Sequence, residues 1–158
     1  MDEVRDIIET YRLEPPPEGG WFREFHRSDR PVGPLPGVPG IRPAVTAIHF
    51  LLTRETFSAF HRLRSEEIWI HLAGAPLSLV LLGPDASRLR LAGAADGGPP
   101  ALVVPAGALQ AARTDGAFAF AACVVAPGFD YADLEIPSRH ALLLEFPGHA
   151  ELVRTFTR

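Results

Sequence analysis

The sequence predicts one all-β domain, a jelly-roll barrel with a short helix at each end. Its 158 residues suit a single hydrophobic core. The apolar residues fall in short runs separated by Gly and Pro, and none approaches the ~18 residues of a membrane span. Nine such segments at this spacing are typical of a jelly roll. The predicted strands are 44–53, 58–61, 67–72, 77–82, 88–91, 101–104, 108–113, 117–125 and 140–146.

The two ends of the chain and one internal segment are not predicted to be strands. We expect a helix over residues 1–14, with an apolar stripe that includes Ile7 and Ile8 and with Asp2 as its cap, rather than a signal peptide. Residues 31–43 contain five prolines and three glycines and should form a loop. The barrel should then occupy residues 44–146. A second helix should close the single domain over residues 148–158.

Composition excludes several classes of mechanism and partner. All fifteen basic residues are Arg, so the chain cannot form a lysine Schiff base, anchor pyridoxal phosphate or supply a P-loop lysine. A net charge of -4 gives no electrostatic reason to bind nucleic acid, and we expect neither nucleic acid nor a membrane as a partner. The single Cys123 cannot form an internal disulfide and predicts a reducing, cytoplasmic location.

Two motifs about forty residues apart carry the candidate chemistry. They are HRLRSEE over residues 61–67, running on to Gly74, and PAGALQ over residues 105–110. They resemble the two signature motifs of the cupin superfamily, His-x-His with a following Glu and Gly, and Pro-x-Gly-x-x-His. Further similarity to the fifth cupin family, a family of unknown function, lies in EGGWFRE (18–24), EIW (67–69) and CVVAPGF (123–129). The resemblance implies a double-stranded β-helix that is usually dimeric and holds a small-molecule pocket. We therefore expect a homodimer and a small-molecule ligand.

This chain departs from the cupin motifs at two of the four positions that usually hold a metal. Leu63 and Gln110 stand where the resemblance implies histidines, which leaves His61 and Glu67. An amide oxygen is a weak ligand for the metals that imidazole binds well. The expected cofactor is therefore none, or a weakly bound divalent metal held by His61, Glu67 and Gln110.

Strand alternation extends the candidate site. Side chains two residues apart share a face, so Leu63 should accompany His61, and Trp69 and His71 should accompany Glu67. A structural role is the alternative for each histidine outside the motifs. The candidate substrate-binding residues are Gln110, Trp69, His71, His49 and Arg23.

Arg23 and the segment after Pro127 each have two interpretations. The planar guanidinium of Arg23 could reach a cavity and bind an anionic group, or it could form a surface salt bridge with Glu24 or Asp29. Residues 129–135 read either as a lid over the barrel mouth or as an acidic surface loop.

The remaining pocket chemistry favours proton transfer. A His and a Glu without a metal can act as a general acid and a general base. We therefore predict an isomerase, epimerase or cyclase type of enzyme with His61 and Glu67 as its catalytic pair. Two alternatives stay open: a metal-dependent dioxygenase type of cupin, and a non-catalytic cupin that binds a metabolite.

Overall fold

Two facing β-sheets form a barrel in the computed structural model, which describes residues 3–158. The expected cap Asp2 lies outside the described residues. The strands are β1 (Trp21–Arg27), β2 (Pro31–Val32), β3 (Arg42–Pro43), β4 (Thr46–Thr53), β5 (Ser58–His61), β6 (Glu66–Gly74), β7 (Leu77–Leu82), β8 (Ser87–Leu91), β9 (Ala101–Val104), β10 (Leu109–Thr114) and β11 (Phe118–Ala126). One sheet has the strand order β1-β4-β11-β6-β9 and the other β5-β10-β7-β8.

This architecture confirms the predicted all-β barrel with short helices. The first eight predicted strands correspond to β4 through β11. The Pro- and Gly-rich segment is a loop apart from the two-residue strands β2 and β3, which pair at its ends. The helices are α1 (Glu3–Tyr11), α2 (Arg139–Glu145) and α3 (Ala150–Thr155).

The ninth predicted strand, residues 140–146, is wrong because this segment forms helix α2. Ser138 caps the helix, and its Oγ accepts a hydrogen bond from the Ala141 backbone at 3.2 Å. Ala and Leu, which fill the segment, are strong helix formers and lack the β-branching that favours strands. Leu142 is fully buried in a cluster with Val153 and Phe156, so packing against α3 reinforces the helical preference.

The main core lies between the two sheets and is built by alternation. On β4, Phe50 and Leu52 point inward, where they pack with Trp69 of β6 and Leu79 of β7. Leu51 points outward and is covered by α1, whose Ile7 and Ile8 are half-buried. Within residues 3–158, no helix is both long and apolar enough to cross a membrane.

Candidate functional site

A cavity of about 100 Å³ opens between the two sheets at one end of the barrel. A buried water needs about 10–15 Å³ of such space, so the cavity can hold a small organic molecule. Its walls are largely apolar, which is typical of ligand sites. The apolar side chains are Phe22, Ile48, Leu63, Val125, Phe129 and Leu134.

His61 and Glu67 line this cavity from different sheets. His61 ends β5 and Glu67 is the second residue of β6, and only residues 62–66 separate them in the chain. Their exposed fractions are 4% and 6%, so both lie deep in the cavity. The structure thus brings together the two residues that the sequence predicts as the catalytic pair, and it places Leu63 beside them.

The hydrogen bonding of His61 fixes which ring nitrogen is available. Its Nδ1 lies 2.8 Å from the carbonyl oxygen of Ala59. A carbonyl only accepts hydrogen bonds, so Nδ1 carries the proton and donates it. In the neutral ring the lone pair is then on Nε2, which is free to accept a proton from a ligand.

A chain of two hydrogen bonds, from Trp69 to Gln110 and from Gln110 to Glu67, holds the carboxyl of Glu67 in place. Trp69 Nε1 lies 3.1 Å from Gln110 Oε1, and Gln110 Nε2 lies 2.6 Å from Glu67 Oε2. Because an indole N–H can only donate, the Gln110 oxygen must face Trp69 and its NH₂ group must face Glu67. Gln110 and Trp69 do not line the cavity, so in this structure they position Glu67 rather than contact a ligand.

The environment of Glu67 favours its protonated form. Burial raises the pKa of this carboxyl, and the charge of Glu18 raises it further. The charge of His61 and the hydrogen bond from Gln110 lower the pKa, but burial has the largest effect. A carboxyl with a raised pKa can donate and accept protons closer to neutral pH than an exposed one.

Cys123 completes the wall next to Glu67 but is not suited to attack a substrate. Burial raises the pKa of its thiol far above the ordinary value, and the charge of Glu67 acts in the same direction. The thiolate is the reactive form of cysteine. The thiol of Cys123 therefore stays protonated and acts as a wall of the cavity.

Three charged residues at the cavity are absent from the sequence prediction: Glu18, Glu24 and Arg27. Arg27 donates to both carboxylate oxygens of Glu24, each at 2.8 Å, and to the carbonyl oxygen of Phe129 at 3.2 Å. Alternation on β1 could have indicated Glu24, which shares a face with Phe22. Arg27 could not be found this way, because a bulge between Glu24 and His26 changes the alternation.

Arg23 and His49 lie on the outer face of the sheet, away from the cavity. The side chain of Arg23 is 48% exposed and lies 3.8 Å from Glu14, so the predicted partners Glu24 and Asp29 are not the ones observed. The His49 ring packs against Tyr11 and Phe25, with centroids 4.7 and 4.3 Å away, and burial lowers its pKa. The outward direction of His49 follows from the inward direction of its neighbours on β4.

His71 also lies outside the cavity, although it is on β6 with Glu67 and Trp69. His71 is four positions after Glu67, a distance of about 13 Å along a strand. Its Nε2 lies 3.0 Å from the carbonyl oxygen of Ala75, where β6 turns into β7. The structure therefore places His71 toward the opposite end of the barrel.

The loop after β11 covers the cavity and is tied down at both ends. Its Phe129 and Tyr131 line the cavity, and their rings pack edge to face with centroids 5.0 Å apart. The Phe129 backbone donates to Thr46 Oγ1 at 2.8 Å. Asp133 is buried and accepts two hydrogen bonds from Arg42, at 2.7 and 2.8 Å. The position of Phe129 and Tyr131 at the cavity favours the interpretation of residues 129–135 as a cover over the barrel mouth, and these bonds hold that cover in place.

The donors around the cavity do not fit a transition-metal site. His61 and Glu67 line the cavity, but the Gln110 oxygen is turned to Trp69 and Leu63 has no donor atom. Such sites commonly use three or four donors of suitable type. Among residues 3–158, no group of three or more His, Cys, Asp or Glu is arranged to hold a metal ion.

Several solved structures resemble this chain. A hypothetical protein from Leishmania major is 30% identical over 98% of both chains, with a TM-score of 0.89. A protein from Shewanella oneidensis is 31% identical over 100% of this chain and 99% of its own, with a TM-score of 0.90. A cupin 2 conserved barrel domain protein from Rhodopseudomonas palustris is 14% identical over 92% of this chain and 98% of its own, with a TM-score of 0.54, which shows a shared fold alone.

Comparison of the sequence with known proteins identifies a family. No curated protein matches the chain. A family profile described as "Cupin superfamily (DUF985)" matches residues 5–137, which is most of the sequence. The resemblance inferred from the two motifs is thereby confirmed. The chain belongs to the DUF985 family of the cupin superfamily.

Proposed function

We propose that the barrel cavity is the active site of a small-molecule isomerase, epimerase or cyclase type of enzyme. The observation that carries the proposal is that Glu67 and His61 line the same cavity and are both almost fully buried in it. The Glu67 carboxyl has a raised pKa and is held by Gln110, and the Nδ1 of His61 is engaged by the Ala59 carbonyl, which leaves Nε2 to exchange a proton with a ligand. A buried carboxyl and an imidazole of this kind are a common acid and base pair.

The proposed chemistry needs only proton transfer. One member of the pair removes a proton from the substrate, and the other delivers a proton at a second position or on the opposite face. Protonated Glu67 can donate while neutral His61 accepts through Nε2, and the reverse transfer restores both groups. No electron acceptor is needed, because the substrate and product have the same oxidation state.

Solvent deuterium provides a test that does not require the substrate to be known. Wild-type protein is incubated with a small-metabolite extract in D₂O, and the metabolites are examined by mass spectrometry. An acid and base that exchange protons with solvent should introduce deuterium into a specific compound, and Glu67→Gln should introduce it about a hundredfold more slowly. If a compound co-purifies with the wild type in native mass spectrometry but never gains deuterium or changes, the cavity is a non-catalytic binding site.

A metal-dependent dioxygenase activity is less well supported, because the donor atoms do not fit a metal. We expect a chelator to leave the melting temperature almost unchanged. A tightly bound ion would stabilise the folded state by mass action, and its removal would be visible in a thermal melt. The measurement is differential scanning fluorimetry with and without EDTA, followed by addition of Mn²⁺ or Zn²⁺. A clear fall in melting temperature that the added metal reverses would contradict the metal-free proposal.

We also propose that the protein is a homodimer. Ile68 and Val103 are cross-strand neighbours on β6 and β9, and both are exposed, as is Leu72. The edge strand β9 has one row of backbone N–H and C=O groups without strand partners, and a second subunit related by two-fold symmetry commonly covers such an edge. Light scattering at micromolar concentration should return twice the monomer mass of 17.1 kDa. A monomer mass at that concentration would contradict the proposal.

A cytoplasmic location remains part of the proposal. Its support is the single Cys123, which is buried and free in a chain that has no second cysteine. Proteins of oxidising compartments more often use paired cysteines. Fractionation of the source cells, with the protein followed by antibody, would check the location.

A further inference from the structure

The charges around the cavity are unevenly balanced. Three glutamates line it, Glu18, Glu24 and Glu67, against one arginine, Arg27. Arg27 is matched by Glu24 through two hydrogen bonds. Among the described residues, the carboxylate of Glu18 has no ion-pair partner. Since Glu67 favours its protonated form, Glu18 supplies the negative charge at the cavity that no cation of the described residues neutralises.

The donors that an anionic ligand would need are already engaged. The guanidinium of Arg27 donates to Glu24 and to the Phe129 carbonyl, so a ligand carboxylate would have to displace Glu24. It would also approach the carboxylate of Glu18, and like charges brought together in a partly buried site repel strongly. An anionic substrate is therefore disfavoured.

The walls suit a cation with an apolar body. Phe22, Phe129 and Tyr131 supply aromatic rings, whose faces attract cations, and Ile48 and Leu63 supply aliphatic surface. His61 is nine-tenths buried and its Nε2 has no partner in the described part of the chain, so it can accept a hydrogen bond from an N–H donor. A carboxylate, an imidazole acceptor and aromatic rings together form a suitable environment for an ammonium group.

We propose that the cavity takes a small organic ammonium compound, with Glu18 as the residue that selects for its positive charge. This inference rests on the proposed function for the location of the site but not on turnover. The ammonium group pairs with Glu18 and lies near His61, while the apolar part of the ligand contacts Phe22 and Ile48. The small cavity limits the ligand to a short chain or a single ring.

Three probes of matched length test this selection: n-butylammonium, n-butanol and n-butyrate. Their dissociation constants are measured by NMR titration of the wild-type protein at pH 7.5 and constant ionic strength. We expect n-butylammonium to bind at least about tenfold more tightly than n-butyrate, which corresponds to about 1.4 kcal/mol. n-Butanol should fall between them.

Glu18→Gln identifies the residue responsible. It keeps the size of the side chain and removes its charge, so most of the preference for n-butylammonium over n-butanol should be lost. Glu14→Gln is the matched control, because Glu14 is exposed and pairs with Arg23 outside the cavity. This control should keep the wild-type order of affinities. Thermal melts of both variants verify that the barrel remains folded.

Each alternative outcome is decisive. Equal or tighter binding of n-butyrate, or no saturable binding of n-butylammonium, would overturn the proposed ligand class. An unchanged preference in Glu18→Gln would overturn the role of Glu18. The binding results are independent of catalysis. If the protein prefers n-butylammonium but exchanges no deuterium into a metabolite, the proposed enzyme activity is rejected and the proposed ligand class stands. If it exchanges deuterium but does not prefer n-butylammonium, the ligand class is rejected and the enzyme activity stands.

Discussion

Glu67→Gln is expected to lower turnover of the true substrate by about a hundredfold or more while the barrel stays folded. This is the usual contribution of a positioned acid or base. Gln has nearly the same shape as Glu, and its oxygen can still accept the hydrogen bond that Gln110 donates at 2.6 Å. The substitution therefore removes the exchangeable proton and leaves the packing in place. The substrate is the compound that gains deuterium with wild-type protein, and initial rates are compared on it.

His61→Ala should cause a loss of similar size, because Nε2 is the second proton carrier of the proposed pair. Two control variants separate this effect from general damage. Glu66→Gln alters the exposed neighbour of Glu67 on β6, and His140→Ala alters an exposed histidine on α2. Both controls should keep wild-type rates. Full activity in Glu67→Gln would show that the acid and base assignment is wrong.

Sequence reasoning could locate His61 and Glu67 because each belongs to a motif with fixed spacing. The second motif identifies Gln110 as a candidate site residue, but its hydrogen-bond partners depend on contacts between the two sheets. Gln110 is in register with His61 on the neighbouring strand β5, and it donates to Glu67 in the other sheet. Only the folded barrel shows that its amide is occupied by Glu67 and Trp69.

Strand alternation predicts which residues share a face but not which face is inside. On β1 the sequence left open whether Arg23 reaches the cavity or forms a surface salt bridge, and the structure places Arg23 outside and Glu24 at the cavity. The bulge that follows Glu24 then adds Arg27 to the same side, an irregularity without a sequence signature here. The strand predicted over residues 140–146 is wrong for a different reason. A short apolar run is compatible with a strand or a buried helix, and capping by Ser138 favours the helix.

Glu67→Gln should also make the protein more stable, and the gain should grow with pH. The pKa of Glu67 is raised by burial in the folded state, whereas in the unfolded chain it lies near the ordinary value of about 4.3. Below that pH, the carboxyl is protonated in both the folded and the unfolded state, so it lowers the free energy of unfolding only a little. As pH rises, the unfolded state releases the proton first, so wild-type stability falls until the pH passes the pKa of the folded state.

The neutral amide of Gln has no such titration, so the difference between variant and wild type measures the cost of the buried charge. Over the window between the two pKa values, the difference should grow by up to about 1.4 kcal/mol for each pH unit. Each kcal/mol corresponds to about 2–4 °C in melting temperature for a chain of this size. Thermal melts of wild type, Glu67→Gln and the exposed control Glu66→Gln from pH 4 to pH 9 test this.

The curves should coincide near pH 4, separate above it only for Glu67→Gln, and become parallel once the pH exceeds the pKa of folded Glu67. The pH at which the separation stops growing therefore locates that pKa, without any knowledge of the substrate. A constant difference across the whole range would mean that Glu67 titrates alike in both states, and its case as a proton donor near neutral pH would then fail. A growing difference together with lost turnover would show that the fold tolerates a destabilising carboxyl at the position where the proposed chemistry needs one.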